Sequence, residues 1–170
     1  MKRLFATLCC CVLPLLSSSC GYKLGGLVND KMKNMKTYDV CMFRNSTGYP
    51  HVAMQMTTAM GDVMQNDGTF RMAHPSQSDF SISGTVRSVT PSSLITNPDD
   101  TYVSLQLELN VSVDYEITDR KTGKVIKSGT VQASGSYYNT SGNIQTSREI
   151  ALAYATRKAA MEIVDALTLP

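Results

Sequence analysis

The chain has 170 residues, a formal charge of +2 and 42% hydrophobic residues, enough for one domain with a real core and too weakly basic for a general nucleic-acid binder. Tryptophan is absent and methionine numbers ten, which predicts an adaptable rather than tightly interlocked interior.

The N-terminus reads as a bacterial export signal. Lys2 and Arg3 form a basic start, Leu4 to Leu16 is an apolar run too short to span a bilayer as a helix, and Ser17, Ser18 and Ser19 precede Cys20. Residues 1–19 are therefore expected to be a lipoprotein signal peptide and 20–36 an acylated start with a short tether. The segment resembles a lipobox, with Ser17 at the place of the usual aliphatic residue and Leu16 one position early. Cys9, Cys10 and Cys11 lie inside the apolar run, so Cys20 is the expected lipid acceptor. Gly21, where an Asp would favour inner-membrane retention, points to the outer membrane. Removing Lys2 and Arg3 leaves the mature chain near neutral. Only Cys41 then remains as a thiol, so no disulfide within the mature chain is expected.

Residues 37–170 are expected to form a single domain. Thr37 to Arg44 (TYDVCMFR) has strand composition, and Asn45 to Pro50 (NSTGYP) supplies turn residues. Val52, Met56, Ala59, Met60 and Val63 then recur at helical spacing until Asn66, Asp67 and Gly68 stop the pattern. Alternation returns from Asp79 to Val89, and Thr90 to Thr101 (TPSSLITNPDDT) is a loop by composition, with the apolar pair Leu94 and Ile95 as a candidate lipid or partner contact.

The most regular stretch is Val103 to Ile117. Val103, Leu105, Leu107, Leu109, Val111, Val113, Tyr115 and Ile117 alternate with polar residues, which puts one apolar row and one polar row on opposite faces of a long strand. Asp119 to Lys124 (DRKTGK) is a tight turn, and Val125 to Tyr138 returns as its antiparallel partner, with Gly129 and Gly135 marking bulges or close approach. The hairpin end carries Arg120, Lys121, Lys124 and Lys127, and the end near Ile117 is expected to project beyond the covered part of the sheet. Ser147 to Leu167 is the second helix. Leu152, Ala155, Ala159, Ile163, Ala166 and Leu167 form one stripe suited to lying on a sheet, and Ile150, Tyr154, Met161 and Val164 form another nearly opposite.

The order strand, helix, strand, strand, strand, helix predicts an α+β fold with a four-stranded, mainly antiparallel sheet under two helices. Catalytic chemistry is not indicated. His51 and His74 have no acid or cysteine partners at ligand spacing, so no metal site is expected, and neither a nucleophile elbow nor a phosphate-cradling glycine loop occurs. The Asn-x-Ser/Thr triplets at Asn45, Asn110 and Asn139 would matter only in a eukaryotic secretory route.

With the residues in order, the chain resembles the LptE family of lipopolysaccharide-assembly lipoproteins. The likeness rests on the opening CGYKLGG at Cys20 to Gly26, the first strand closing on Phe43, Arg44, Asn45, Ser46 and Thr47, the strand around Ile82 and Gly84, the long hairpin, and an Ala-rich C-terminal helix with Arg157 in its middle. The resemblance implies a non-enzymatic protein at the periplasmic face of the outer membrane, anchored by the lipid on Cys20 and using no other cofactor. It implies that the domain plugs and helps assemble an LptD-type β-barrel and binds lipopolysaccharide. That ligand carries phosphates and acyl chains, which makes Arg120, Lys121, Lys124 and Lys127 its candidate contacts. A second reading is an outer-membrane lipoprotein that activates a peptidoglycan synthase. Crossing the periplasm needs a long tether, and the residues between Cys20 and Thr37 reach at most ~55 Å fully extended, which favours a domain held near its membrane.

Overall fold

The computed structural model describes residues 32–93, 105–139 and 144–168. Cys20, Leu94 and Ile95 lie outside the described residues. The described elements, in chain order, are β1 (Thr37–Val40), β2 (Arg44–Asn45), α1 (Val52–Asp67), β3 (Arg71–Met72), β4 (Phe80–Ser93), β5 (Leu105–Asp119), β6 (Val125–Asn139) and α2 (Ile144–Thr168).

The sheet has six strands and is mixed, which corrects the four-stranded, mainly antiparallel expectation. The main path runs β3-β1-β4-β5-β6, with β2 paired to β4. β1 and β2 both run parallel to β4, because the chain passes through α1 before it returns to the sheet. The expected strand from Thr37 to Arg44 is broken between Val40 and Arg44. There Phe43 is buried, and its backbone N–H donates to Thr57 Oγ1 of α1 (2.9 Å) instead of to a strand. Its ring fills the space over Gly84, where an added Cβ would come within 2.5 Å of it. The short β3 carries no alternation and was not legible as a strand; two residues beside β1 suffice to form it.

The β4-β5-β6 meander follows the alternation closely. Leu109, Val111, Val113, Tyr115 and Ile117 are all buried on the helix-covered face. β4 extends four residues further than expected, to Ser93, and includes Pro91, which is tolerated because among the described residues β4 has no partner on its other side at that point. The register between β5 and β6 slips once, at Ile126, where one extra residue of β6 opposes the step from Ile117 to Thr118. The two glycines of β6 therefore mark close approach, not bulges.

α1 buries Val52, Ala53, Met56, Met60, Val63 and Met64, and it ends at Gly68, whose φ of 70° and N–H bond to Met64 O (3.3 Å) form a left-handed cap. α2 begins at Ile144, three residues before the expected Ser147. Its buried face comprises Ala151, Leu152, Ala155, Ala159, Ala160, Ile163, Val164 and Leu167, while Ile150, Tyr154 and Met161 are exposed. Val164 thus belongs with the buried stripe instead of the opposite one.

Small residues let α2 lie directly on β6. A Cβ on Gly135 would sit 2.1 Å from the carbonyl oxygen of Ala151, whereas one on Gly129 would meet only the end of the Tyr115 side chain at 3.0 Å. The first contact is helix backbone and cannot move aside; the second is a side-chain tip that can. Gly135→Ala is expected to destabilise the domain by about 3 kcal/mol and Gly129→Ala by under about 1 kcal/mol, measured as the shift in urea-unfolding free energy.

Candidate functional site

The basic end of the β5-β6 hairpin is a built turn. Asp119 N–H donates to Lys124 O (2.9 Å) and Gly123 N–H to Asp119 O (2.8 Å), with Gly123 at φ 67°. The Asp119 carboxylate accepts the backbone N–H groups of Lys121 (2.7 Å) and Thr122 (2.9 Å). These bonds, that from Thr122 foremost, hold its titration below the ordinary carboxylate range.

The turn does not project, contrary to the expectation for the Ile117 end. Ile117 is fully buried, and Arg120 N–H donates to Asp79 O (2.9 Å). The Arg120 guanidinium forks onto Asp39 of β1, Nε to Oδ1 at 3.0 Å and Nη2 to Oδ2 at 2.6 Å. Asp39 also accepts Ser78 Oγ at 2.5 Å, and its side chain is 5% exposed against 35% for Arg120. Burial alone would push the Asp39 carboxyl up, but the hydrogen bonds from Arg120 and Ser78 outweigh it and the carboxyl titrates below its usual value. Cys41 Sγ lies 3.5 Å from Arg120 Nη2 and 3.7 Å from Asp39 Oδ2, where burial, with the Asp39 charge added, pushes its thiol up.

Lys121 Nζ contacts Asp79 Oδ1 at 2.9 Å, while Asp79 Oδ2 accepts Lys36 N–H (2.9 Å), Thr37 N–H (3.1 Å) and Thr37 Oγ1 (3.0 Å). Lys121, followed by the Lys36 N–H, holds the Asp79 carboxyl well below the usual range. Lys127 Nζ donates to the carbonyl of Ala166, at the negative end of the α2 dipole. The Lys124 side chain has no described partner and is exposed. The structure therefore gathers Arg120, Lys121 and Lys124 at one end and sends Lys127 to the helix. Asp39, Ser78 and Asp79 were missed as partners of this turn. The available signal was Asp39, a lone charge in the apolar run TYDVCMF.

Other concave surfaces lie on the two helices and on the open sheet face. A cleft of about 510 Å³ at the start of both helices is lined by Tyr49, His51, Gln55, Arg148 and Leu152. It adjoins a groove of about 450 Å³ between Met54, Thr58 and Ala59 of α1 and Ile150, Tyr154 and Arg157 of α2. The sheet face away from the helices carries Arg87 bound to Asp114 (2.6 Å), which also accepts Thr130 Oγ1 (2.8 Å). His74 Nδ1 meets Ser76 Oγ (2.9 Å) and the Ser76 N–H (3.4 Å), and among the described residues no three His, Cys, Asp or Glu side chains are placed to hold a metal ion. No described helix is long and apolar enough to cross a membrane.

The lowered titration of Asp39 and Asp79 fixes the sign of a pH dependence. A carboxyl whose folded value lies below its unfolded value contributes stability above the unfolded value, 3.8 for both groups, and loses it as pH falls through the folded value. Stability is expected to drop as pH is lowered from about 5, and Asp79→Asn is expected to flatten that drop; acid titration of the unfolding free energy checks both. Asp39→Asn removes the charge and turns one of the two acceptor oxygens into an amide donor facing the Arg120 guanidinium, and is expected to lose ~2–3 kcal/mol at neutral pH, measured by urea unfolding.

Comparison with solved structures places this architecture among several bacterial proteins. A protein from Chlamydia trachomatis superposes with a TM-score of 0.56 at 8% identity, over 79% of this chain and 96% of that one. One from Xanthomonas campestris gives 0.54 at 10% identity, over 76% and 81%. PelC from Paraburkholderia phytofirmans, solved as a dodecamer, gives 0.53 at 16% identity, over 85% and 95%. At these identities the likeness concerns the fold alone. No curated protein matches the sequence. The lipopolysaccharide-assembly family, LptE, matches residues 35–167, which takes in every described element from β1 through nearly all of α2. By that match the chain belongs to the LptE family, which groups lipopolysaccharide-assembly lipoproteins and not enzymes.

Proposed function

We propose that this protein is an outer-membrane lipoprotein, acylated on Cys20, that plugs an LptD-type β-barrel, helps it to assemble, and binds lipopolysaccharide on its way to the outer leaflet. The observation that carries the reading is the family match over residues 35–167. The shape agrees with it. One face of the sheet is covered by helices, and the other presents polar side chains such as Thr130, Gln132, Asn110 and Asp114. A polar domain of this size suits the polar interior of a barrel with many strands.

Within this reading the hairpin end faces lipopolysaccharide phosphate. Lys124 is open, and Lys121, 78% exposed, can exchange Asp79 for a phosphate oxygen at little loss. Arg120 holds the turn in place through Asp39, and Lys127 sets the nearby end of α2. Leu94 and Ile95, which follow β4, supply apolar contact with lipid or barrel.

A pull-down from detergent-solubilised outer membranes tests the partner: recovery of a large β-barrel is expected, and recovery of a peptidoglycan synthase instead overturns the assignment. For the ligand, Lys121→Gln with Lys124→Gln is expected to weaken lipopolysaccharide binding about tenfold, roughly 1.4 kcal/mol, with the difference narrowing as salt is raised. Unchanged binding by that folded variant removes the hairpin end as a site. Arg120 is kept in this test because losing it unpairs a buried carboxylate.

A further inference from the structure

The two oxygens of Asp79 serve different partners. Oδ2 accepts the Lys36 N–H (2.9 Å), the Thr37 N–H (3.1 Å) and Thr37 Oγ1 (3.0 Å), while Oδ1 accepts Lys121 Nζ (2.9 Å). The backbone of Asp79 is fixed as well, its N–H donating to Thr37 O (3.0 Å) and its carbonyl accepting the Arg120 N–H (2.9 Å). The carboxylate is therefore held in place by the start of β1 and by the turn, whether or not Lys121 is on it.

The two ion pairs of the turn differ in what remains when the cation leaves. Asp39, with a side chain only 5% exposed, would keep Ser78 and the Cys41 thiol and become a buried charge without a counter-ion. Asp79, 20% exposed, would keep all three donors on Oδ2 and gain water on Oδ1. Arg120 is committed to its acceptor; Lys121, on a flexible and exposed stem, is detachable.

A fixed carboxylate beside a detachable ammonium acts on a bound anion in one direction. A phosphate that takes Lys121 displaces Asp79 without moving it away, so the carboxylate stays within one swing of the lysine, as an intramolecular competitor at an effective concentration on the order of millimolar or above. It also repels the phosphate as a like charge. Both effects shorten the stay of the anion. Lys124 is exposed and pairs with no described carboxylate, so it attracts phosphate without this opposition.

We infer that Asp79 is a release residue of the hairpin end: it competes with ligand phosphate for Lys121 and so keeps bound lipopolysaccharide exchangeable. A protein that passes its ligand onward needs contacts that yield as well as form. This role rests on the lipopolysaccharide reading of the hairpin end and adds to it a residue that opposes binding.

Association and dissociation of lipopolysaccharide on the immobilised full chain, in detergent, test it. Asp79→Asn keeps an acceptor oxygen for the Lys36 and Thr37 amides but carries no charge. It is expected to bind about fivefold more tightly, mostly through slower dissociation, and adding Lys121→Gln is expected to abolish the gain. Damage to the turn would weaken binding, so a gain separates competition from a structural role. Asp114→Asn makes the same change of charge about 17 Å along β5 from Asp119, beyond the screening length of about 8 Å at physiological salt, and is expected to bind like the parent. A folded Asp79→Asn protein that binds no more tightly than the parent overturns the assignment, as does an equal gain in Asp114→Asn. If Asp79→Asn does not fold, the parent chain decides: its Lys121 ammonium signal in nitrogen-15 NMR is expected to shift on saturation with lipopolysaccharide while the Lys36 and Thr37 amides stay protected from exchange, and an unmoved Lys121 signal overturns the assignment. The two possible failures are distinct. Unchanged binding by Lys121→Gln with Lys124→Gln removes the site and the release role together, whereas weakened binding by that variant beside unchanged binding by Asp79→Asn removes the release role alone.

Discussion

A carboxylate placed in the first strand obliges the rest of the chain to supply a cation. Asp39 alternates with the buried Tyr38 and so turns to the sheet face opposite the helices, yet it is itself buried. An unpaired charge there would be strongly unfavourable. The chain meets the demand from 81 positions away, with the guanidinium of Arg120. That one contact fixes where the β5-β6 turn sits relative to β1, and so sets the tilt of the long hairpin across the sheet. Ser78 takes a remaining lone pair of the same carboxylate, which fastens the segment leading into β4 to the same point. Asp79 repeats the device one residue later, with the Lys36 and Thr37 amides on one oxygen and Lys121 on the other. The pairing is therefore a registration device as much as a source of stability.

At the far end of the sheet, registration comes from size. Gly135 lets the backbone of α2 rest on β6, and Ala151, Ala155 and Ala159 keep the helix low along the strands. Small residues here do what charge does at the turn: they admit one arrangement and exclude those displaced by a fraction of a side chain. The methionines work differently. Met32, Met56, Met60 and Met64 are buried around α1, where the short strands β1, β2 and β3 leave an irregular surface that a flexible thioether can fill.

How much of this was legible in the sequence depended on whether a contact was local or distant. The β5-β6 hairpin and both helices are visible because alternation and helical spacing are local patterns, and the stop at Gly68 is a local cap. The break at Phe43 was hidden, since the composition of TYDVCMFR is that of a continuous strand. What interrupts it is Thr57, fourteen positions on, and the cleft above Gly84. The parallel sense of β1 and β2 follows from the helix between them and β4, a deduction the element order permitted but composition did not. The cations of the hairpin end were visible as a cluster; their division among Asp39, Asp79 and the end of α2 was not, because each partner lies tens of residues away.

That division bears on how such a domain recognises anything. Arg120 and Lys121 are paired with carboxylates and Lys127 is turned to a helix carbonyl, so Lys124 is the cation of the four left open, and a phosphate reaching Lys121 must compete with a carboxylate already in place. Competition of this kind discriminates. It favours a ligand that brings several phosphates at once, or one delivered next to apolar surface, over dilute monovalent anions. Lys121 is the residue at which the exchange is easiest, because its pair with Asp79 is exposed, while the Arg120 fork is too deeply set to open without loosening β1. On the proposed reading, the order in which these pairs yield decides which cations touch lipopolysaccharide and which only hold the turn that presents them.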